Sequence, residues 1–408
     1  MTIDELVRQT LREWSEQAPV PAGDLAGSVL RRRGRTRLRT FAVVAGATAS
    51  LVAAAVTVPA LIQRDAPRDD RGAITVVVAE PDPSTETAAD PDSSPPKTLM
   101  AAGTTAAYSY YTWAEEKISE DRQVRKMTWH RYDRDLGRYE PTPWAWLDVA
   151  RGGRAAAFLE KVPANRVGVL TGRGTEVRWI ALDRPAASVY WSPDASRLLL
   201  TNYSANPDES YVMEDGGRRT SAPSRVGFTV VDLAEGRSTF QGLPQHPDEM
   251  ATRNDLSWAD DGTLVWEHSS SGSPVKRYYD LRGNARAAPS KEADTYQEAG
   301  LSPDGRRLAV QSPDRSAIVG VQDLTTGGTV PFNSAPGYWI EQSVAWADDE
   351  RLIVWACETK GDDDCVGGEF RNRLILVGLN GGEAVPLSGY RENSEVAGKS
   401  WEPVFTTR

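Results

Sequence analysis

Histidine and cysteine are scarce in this chain, three and two residues in 408, and the scarcity bounds its chemistry. His130, His246 and His268 stand far apart and share no metal-ligand spacing, so no metal centre is expected. There is no Gly-x-Ser-x-Gly elbow, no His-Glu-x-x-His, no Walker A loop and no dinucleotide fingerprint. The sequence signs of a serine hydrolase, a metalloprotease, a phosphate-binding enzyme and a nicotinamide enzyme are thus missing. Asp362, Asp363 and Asp364 follow one another, where calcium loops alternate their ligands. No catalytic residue, cofactor or metal ligand is assigned, and the chain is expected not to be an enzyme. Lysine is rare too, eight of 47 basic residues. Residues 1–62 carry a net +3 and the remainder −13. An acidic body lacks the basic face that phosphates require, which excludes a nucleic-acid partner.

Charge is wholly missing from one long stretch, Phe41–Ile62. Its 22 residues span roughly 33 Å as a helix, enough for a hydrocarbon core of about 30 Å. Six Arg in the nine residues Arg31–Arg39 precede it, holding the N-terminus in the cytoplasm and placing the rest outside. The run exceeds the 7–15 apolar residues usual in a signal peptide, so an uncleaved anchor in the cytoplasmic membrane is expected. Before it, Thr2-Ile3-Asp4-Glu5 has the capping-box pattern, and Ile3, Leu6, Val7, Leu11 and Trp14 recur at near-helical spacing. Residues 1–40 therefore read as a cytoplasmic leader with one amphipathic helix. Residues 63–98, rich in Asp, Pro, Ser and Thr, read as a disordered linker. The globular body spans 99–408.

That body repeats. Val189-Tyr190-Trp191-Ser192-Pro193-Asp194-Ala195-Ser196-Arg197-Leu198 and Leu301-Ser302-Pro303-Asp304-Gly305-Arg306-Arg307-Leu308 are hairpins around a Pro-Asp turn. Looser copies start at Trp258 and Trp346, and a degenerate one runs from Asp148 to Arg154. A second element, an apolar strand followed by Asp-Leu or a near equivalent, recurs at positions 133, 183, 232, 280, 323 and 378. A period of roughly 50 residues suits units of four short strands that must stack to bury their faces. The turn resembles the TolB-like (PD40, WD40-like) β-propeller repeat over Leu99–Arg408. That resemblance implies an all-β, six-bladed β-propeller, here preceded by the helical leader and one transmembrane helix. Trp401–Phe405 reads as the missing front half of a repeat, closing the ring on the first blade.

Cys357 and Cys365 flank one short loop and, outside the membrane, are expected to form a disulfide. Trp191, Trp258, Trp346 and Trp401 share one motif position and read as packing between blades. Trp144, Trp146, Tyr338 and Trp339 fall outside that register and are the candidate ligand surface. The leading expectation is an extracytoplasmic propeller acting as an interaction module for a protein, peptide or cell-envelope ligand. One alternative is an extracytoplasmic hydrolase or lyase with carboxylates in the channel, for which inward-facing acids would speak. A peptidase with an added α/β-hydrolase domain is not expected. The other alternative is a transmembrane sensor that signals through the N-terminal helix. Its layout resembles that of anti-sigma proteins, without their His/Cys zinc motif.

Overall fold

The computed structural model describes residues 74, 86–172, 176–213, 218–246, 253–269, 274–289, 291–311, 319–332, 335–359, 372–382, 384–391 and 400–408. The chain divides into a unit of residues 1–64 and one of 65–408, and every described residue belongs to the second. The expected leader helix, the Arg cluster and the membrane segment Phe41–Ile62 lie outside the described residues. Among the described residues no helix is long and apolar enough to cross a membrane.

The fold is all-β and propeller-like. Among the described residues the strands form five antiparallel sheets of seven, seven, four, three and four strands. In the first, the C-terminal strand Trp401–Thr407 pairs with Thr105–Lys117, setting Thr112 opposite Trp401 and Thr105 opposite Thr407. Arg122–Asp133 and Arg138–Pro141 continue outward. The two ends of the body thus share one sheet, as the closure reading required, and the edge that an open array would expose is covered. A segment after Tyr203 also joins this sheet. There the hairpin Glu209–Val212 with Arg218–Thr220 pairs with Arg122–Asp133.

Six sheets were expected, and hydrogen bonding gives five. The reason lies in Val177–Trp191, a strand of 15 residues. Residues 177–186 pair with Ala164–Leu170, and residues 186–191 pair with Arg197–Tyr203. One unbroken strand therefore ends one four-stranded group and begins the next, fusing both into a single sheet from Trp146–Val149 to Arg237–Gly242. Bulges between Ala164 and Arg166 and between Ala186 and Ser188 let it turn without a break.

The repeated turn is built as its residues require. Ser192 Oγ donates to Asp194 at 2.6 Å, Ser196 N–H donates to Asp194 at 3.1 Å, and Arg197 N–H donates to Ser192 Oγ at 2.9 Å. Ser302, Asp304, Arg306 and Arg307 repeat the pattern at 2.7, 3.0 and 2.9 Å. The fourth turn position is left-handed in both, with φ of +59° at Ala195 and +70° at Gly305. Gly305 is free of neighbours around a would-be Cβ, so only backbone strain acts there. Gly305→Ala should cost about 1 kcal/mol, and Ala195→Gly should gain roughly 0.5 kcal/mol after the added chain entropy is counted. Urea unfolding of the two variants checks the opposite signs.

Between units, the motif tryptophans are buried and their indole N–H groups stitch the array. Trp191 donates to Asp148 O at 3.2 Å, Trp258 to Tyr190 O at 3.2 Å and Trp346 to Gly300 O at 3.0 Å. Each acceptor sits at the same position of the preceding unit. The packing reading of these four positions holds, with Trp401 fully buried as well.

Parts of the expected linker are packed against the sheets. Ile74 is buried and its N–H donates to Leu233 O at 2.7 Å. Ala88 bridges Ala101, Asp90 bridges Ser388, and Gly389 N–H donates to Ser93 O at 2.8 Å. Trp401 Nε1 donates to Ser94 Oγ at 2.9 Å. Composition alone marks such a stretch as unable to form a core of its own, but not as unable to lie along one.

Candidate functional site

Four turns are closed by the same pair of backbone hydrogen bonds, which aligns them residue by residue. Ala150, like Ser192, Ala259 and Ser302, donates its N–H to the carbonyl five residues on and accepts from the N–H three residues on. On that alignment Asp148, Tyr190 and Ser257 are equivalent. So are Val149, Trp191 and Trp258. These equivalent residues converge with Val404–Thr407 of the closing strand on a cavity of about 340 Å³. The repeat therefore builds the cavity, and departures from the repeat supply its polarity.

Two departures stand out. Asp148 occupies the place of Tyr190, buried, with its carboxylate accepting from Trp191 N–H at 2.8 Å. Burial pushes its pKa up to about 7, against the pull of the Trp191 and Val149 backbone hydrogen bonds. Arg151 occupies the place of Pro193 at the cavity wall.

A charged network lies where several units approach one another. Arg253 binds both oxygens of Asp208 at 2.7 and 2.6 Å and Asp255 at 2.7 Å. Tyr203 donates its hydroxyl to Asp255 at 2.9 Å. Arg391 pairs with Glu402 at 2.6 Å and lies 3.7 Å over Trp355. Glu298 is exposed and hydrogen-bonded to Gln342. Burial, with the Glu402 charge behind it, pushes its pKa up to about 7. Burial also raises Glu402 and Glu341, opposed by Arg391 and by Asn372 respectively. Among the described residues no trio of His, Cys, Asp or Glu is placed to hold a metal ion.

The four aromatic candidates do not form one surface. Trp146 is buried, donates to Val189 O at 3.2 Å, and carries the Arg253 guanidinium 4.6 Å above its ring. Trp144 stacks on Phe158 at 4.0 Å. Tyr338 and Trp339 lie on another sheet, Tyr338 half-buried and Trp339 38 % exposed. Cys357 is buried at the end of its strand, while its expected partner Cys365 and the Asp362–Asp364 run fall outside the described residues. Of the groups in the cavity and network, Arg253, Glu298 and Arg391 have no motif around them. The legible signal was the degenerate repeat copy Asp148–Arg154, where the turn survives with the wrong residues.

No family model matches the chain, and no curated protein matches it. Solved structures do. A putative TolB from Agrobacterium tumefaciens is 11 % identical, with a TM-score of 0.34, over 66 % of this chain and 92 % of that one. The acylaminoacyl peptidase of Pyrococcus horikoshii is 13 % identical, with a TM-score of 0.40, over 72 % of this chain and 46 % of that one. Dipeptidyl peptidase 4 of Porphyromonas gingivalis is 10 % identical, with a TM-score of 0.36, over 72 % and 46 %. This chain spans less than half the length of either peptidase. The presence of such enzymes among the similar structures corrects the expectation that the chain is not an enzyme. Missing motifs were its ground, and catalytic groups drawn from separate units leave no motif. At this level of similarity the neighbours assign no reaction.

Proposed function

We propose that the chain is a six-bladed propeller that binds a protein, peptide or cell-envelope ligand at the cavity where its innermost strands meet. The blade count follows from dividing the fused sheet within Val177–Trp191 and counting Leu301, bridged to Leu308, as the first strand of the three-stranded sheet. The observation that carries the binding reading is the cavity itself. Successive units and the closing strand converge on it, and its size suits a small ligand or a chain end. The Arg cluster and Phe41–Ile62 support display outside the cytoplasmic membrane, with Cys357 paired to Cys365 there.

Photo-crosslinking in intact cells tests the reading. A crosslinker at Trp258, on the cavity, should capture a discrete adduct, and one at Val330, 68 % exposed and remote in the repeat, should not. Equal capture at both positions, or none at Trp258, would refute a cavity ligand. Protease added to intact spheroplasts should remove the body and spare residues 1–40.

A second reading, hydrolysis or elimination on a ligand that extends from the cavity to Glu298, is favoured by that carboxyl. A carboxyl poised near pH 7 is suited to give and take a proton. If the captured ligand is converted, Glu298→Gln should abolish turnover and leave capture at Trp258 intact.

A further inference from the structure

We propose that the cavity takes a ligand bearing a carboxylate, clamped by the Arg151 guanidinium, with its apolar part against Trp258 and Phe405. This assignment rests on the cavity being the ligand site, and it names the chemistry of what enters.

The repeat singles out Arg151. The second turn position is Pro193 and Pro303 in the two full copies, where a ring presets φ for the turn, and Asp260 in a third. Nothing in the turn calls for a guanidinium. Arg225, Arg253 and Arg391 are matched by acids, Arg225 by Glu267 at 2.7 Å, Arg253 by Asp208 and Asp255 at 2.6 and 2.7 Å, and Arg391 by Glu402 at 2.6 Å, while Arg373 and Arg408 are bound by backbone carbonyls. Arg151, on the cavity wall, has neither an acid nor a hydrogen-bonded carbonyl among the described residues. A guanidinium on a cavity wall with no acid beside it leaves its charge for an acceptor from outside. Asp148, the nearest acid in the sequence, is committed to Trp191 N–H. Burial keeps that carboxyl largely protonated below neutral pH, so the guanidinium sets the sign of the cavity.

The remaining walls define the ligand further. Thr406, Thr407 and Ser257 bring hydroxyl groups, while Trp258, Tyr190 and Phe405 bring flat apolar surface. A guanidinium fork grips a planar carboxylate through two parallel hydrogen bonds, and phosphate through only part of its tetrahedral surface. An aromatic or aliphatic acid fits, and so does the C-terminal residue of a peptide. Both present the same group.

Isothermal titration calorimetry on the full chain separates the cases. The probes are hippurate, its neutral amide hippuramide, a tetrapeptide ending in phenylalanine with a free C-terminus, and inorganic phosphate. Hippurate is expected to bind at least tenfold more tightly than hippuramide. Arg151→Gln should erase that difference, and Arg151→Lys, which keeps charge but not the fork, should retain part of it. Thermal midpoints of both variants check that they fold, and the Lys variant still reads the proposal if the Gln variant does not. Tighter binding of the tetrapeptide identifies a chain end as the source, and tighter binding of hippurate identifies a free acid. The proposal is overturned if hippurate and hippuramide bind alike, if Arg151→Gln leaves hippurate binding unchanged, if phosphate binds best, or if no probe binds. Capture at Trp258 that persists in Arg151→Gln would leave the cavity reading standing and remove only the carboxylate. Arg151-dependent hippurate binding without any cellular capture would do the reverse.

Discussion

Asp148→Asn is expected to stabilise the protein at pH 8 by up to about 4 kcal/mol and to leave it nearly unchanged at pH 4. The carboxyl is buried, and in the folded chain its pKa is raised to about 7 by that burial. Unfolded, an aspartate titrates near 3.9. Between roughly pH 4 and 7 the folded state therefore holds a proton that the unfolded state has released. Stability falls with rising pH wherever the folded state binds more protons. The contribution of Asp148 is thus intact below about pH 4, is lost as pH rises through about 7, and is flat above. Three pH units at about 1.4 kcal/mol each set the scale. Asparagine keeps an oxygen to accept the Trp191 N–H bond and has no charge to bury. Urea unfolding of both proteins at pH 4, 6 and 8 gives the answer. Parallel pH profiles would mean that Asp148 is ionised and solvated in the folded chain, and the account of the cavity's charge would fail with it.

What could be read from the residues divides along a physical line. The turn chemistry was legible because Ser192-Pro193-Asp194 and Ser302-Pro303-Asp304 make local hydrogen bonds that depend on nothing distant. The motif tryptophans were legible because a shared position in the repeat buries all four and gives Trp191, Trp258 and Trp346 equivalent acceptors. The five-sheet count was not, since whether a strand breaks at Pro185 or bulges through it depends on how neighbouring units sit. Nor could the aromatic candidates be ranked. Trp146 is taken by Arg253, more than 100 residues away in sequence, and such a partner has no local signature. The acids of the network fail the same test. Glu298 and Glu402 are more than 100 residues apart in the sequence, and only the fold brings them close enough for one to raise the other. The absence of catalytic motifs was therefore a weaker observation than it looked. A ring assembles chemistry from single residues, one per unit, and leaves each stretch of sequence looking bland.

Trp401→Ala is expected to cost roughly 3–5 kcal/mol, the range for removing a fully buried large aromatic. The side chain is wholly enclosed, 5.3 Å from the Trp355 ring and 5.8 Å from Tyr110, and its indole N–H reaches Ser94. It packs in the core shared by the first sheet and the last, with Met100, Ile353 and Leu374 around it. Two smaller changes divide the loss. Ser94→Ala removes the hydrogen bond and should cost about 1 kcal/mol. Trp401→Phe keeps a ring against Trp355 and should fall between the two. Trp339→Ala, on an exposed side chain of the last sheet, should stay within about 0.5 kcal/mol of the parent. Urea midpoints at constant m-value measure all four. A second consequence follows from where the residue sits. Trp401 opens the strand that pairs with Thr105–Lys117, so weakening it loosens the junction between the first and last sheets before it loosens any other. Hydrogen exchange of Trp401→Ala should then show the largest gain in Tyr110–Thr112 and Trp401–Val404, with Leu198–Leu200 protected as before. Uniform loss of protection, or a cost below about 1 kcal/mol, would mean that closure contributes little and that the sheets hold without it.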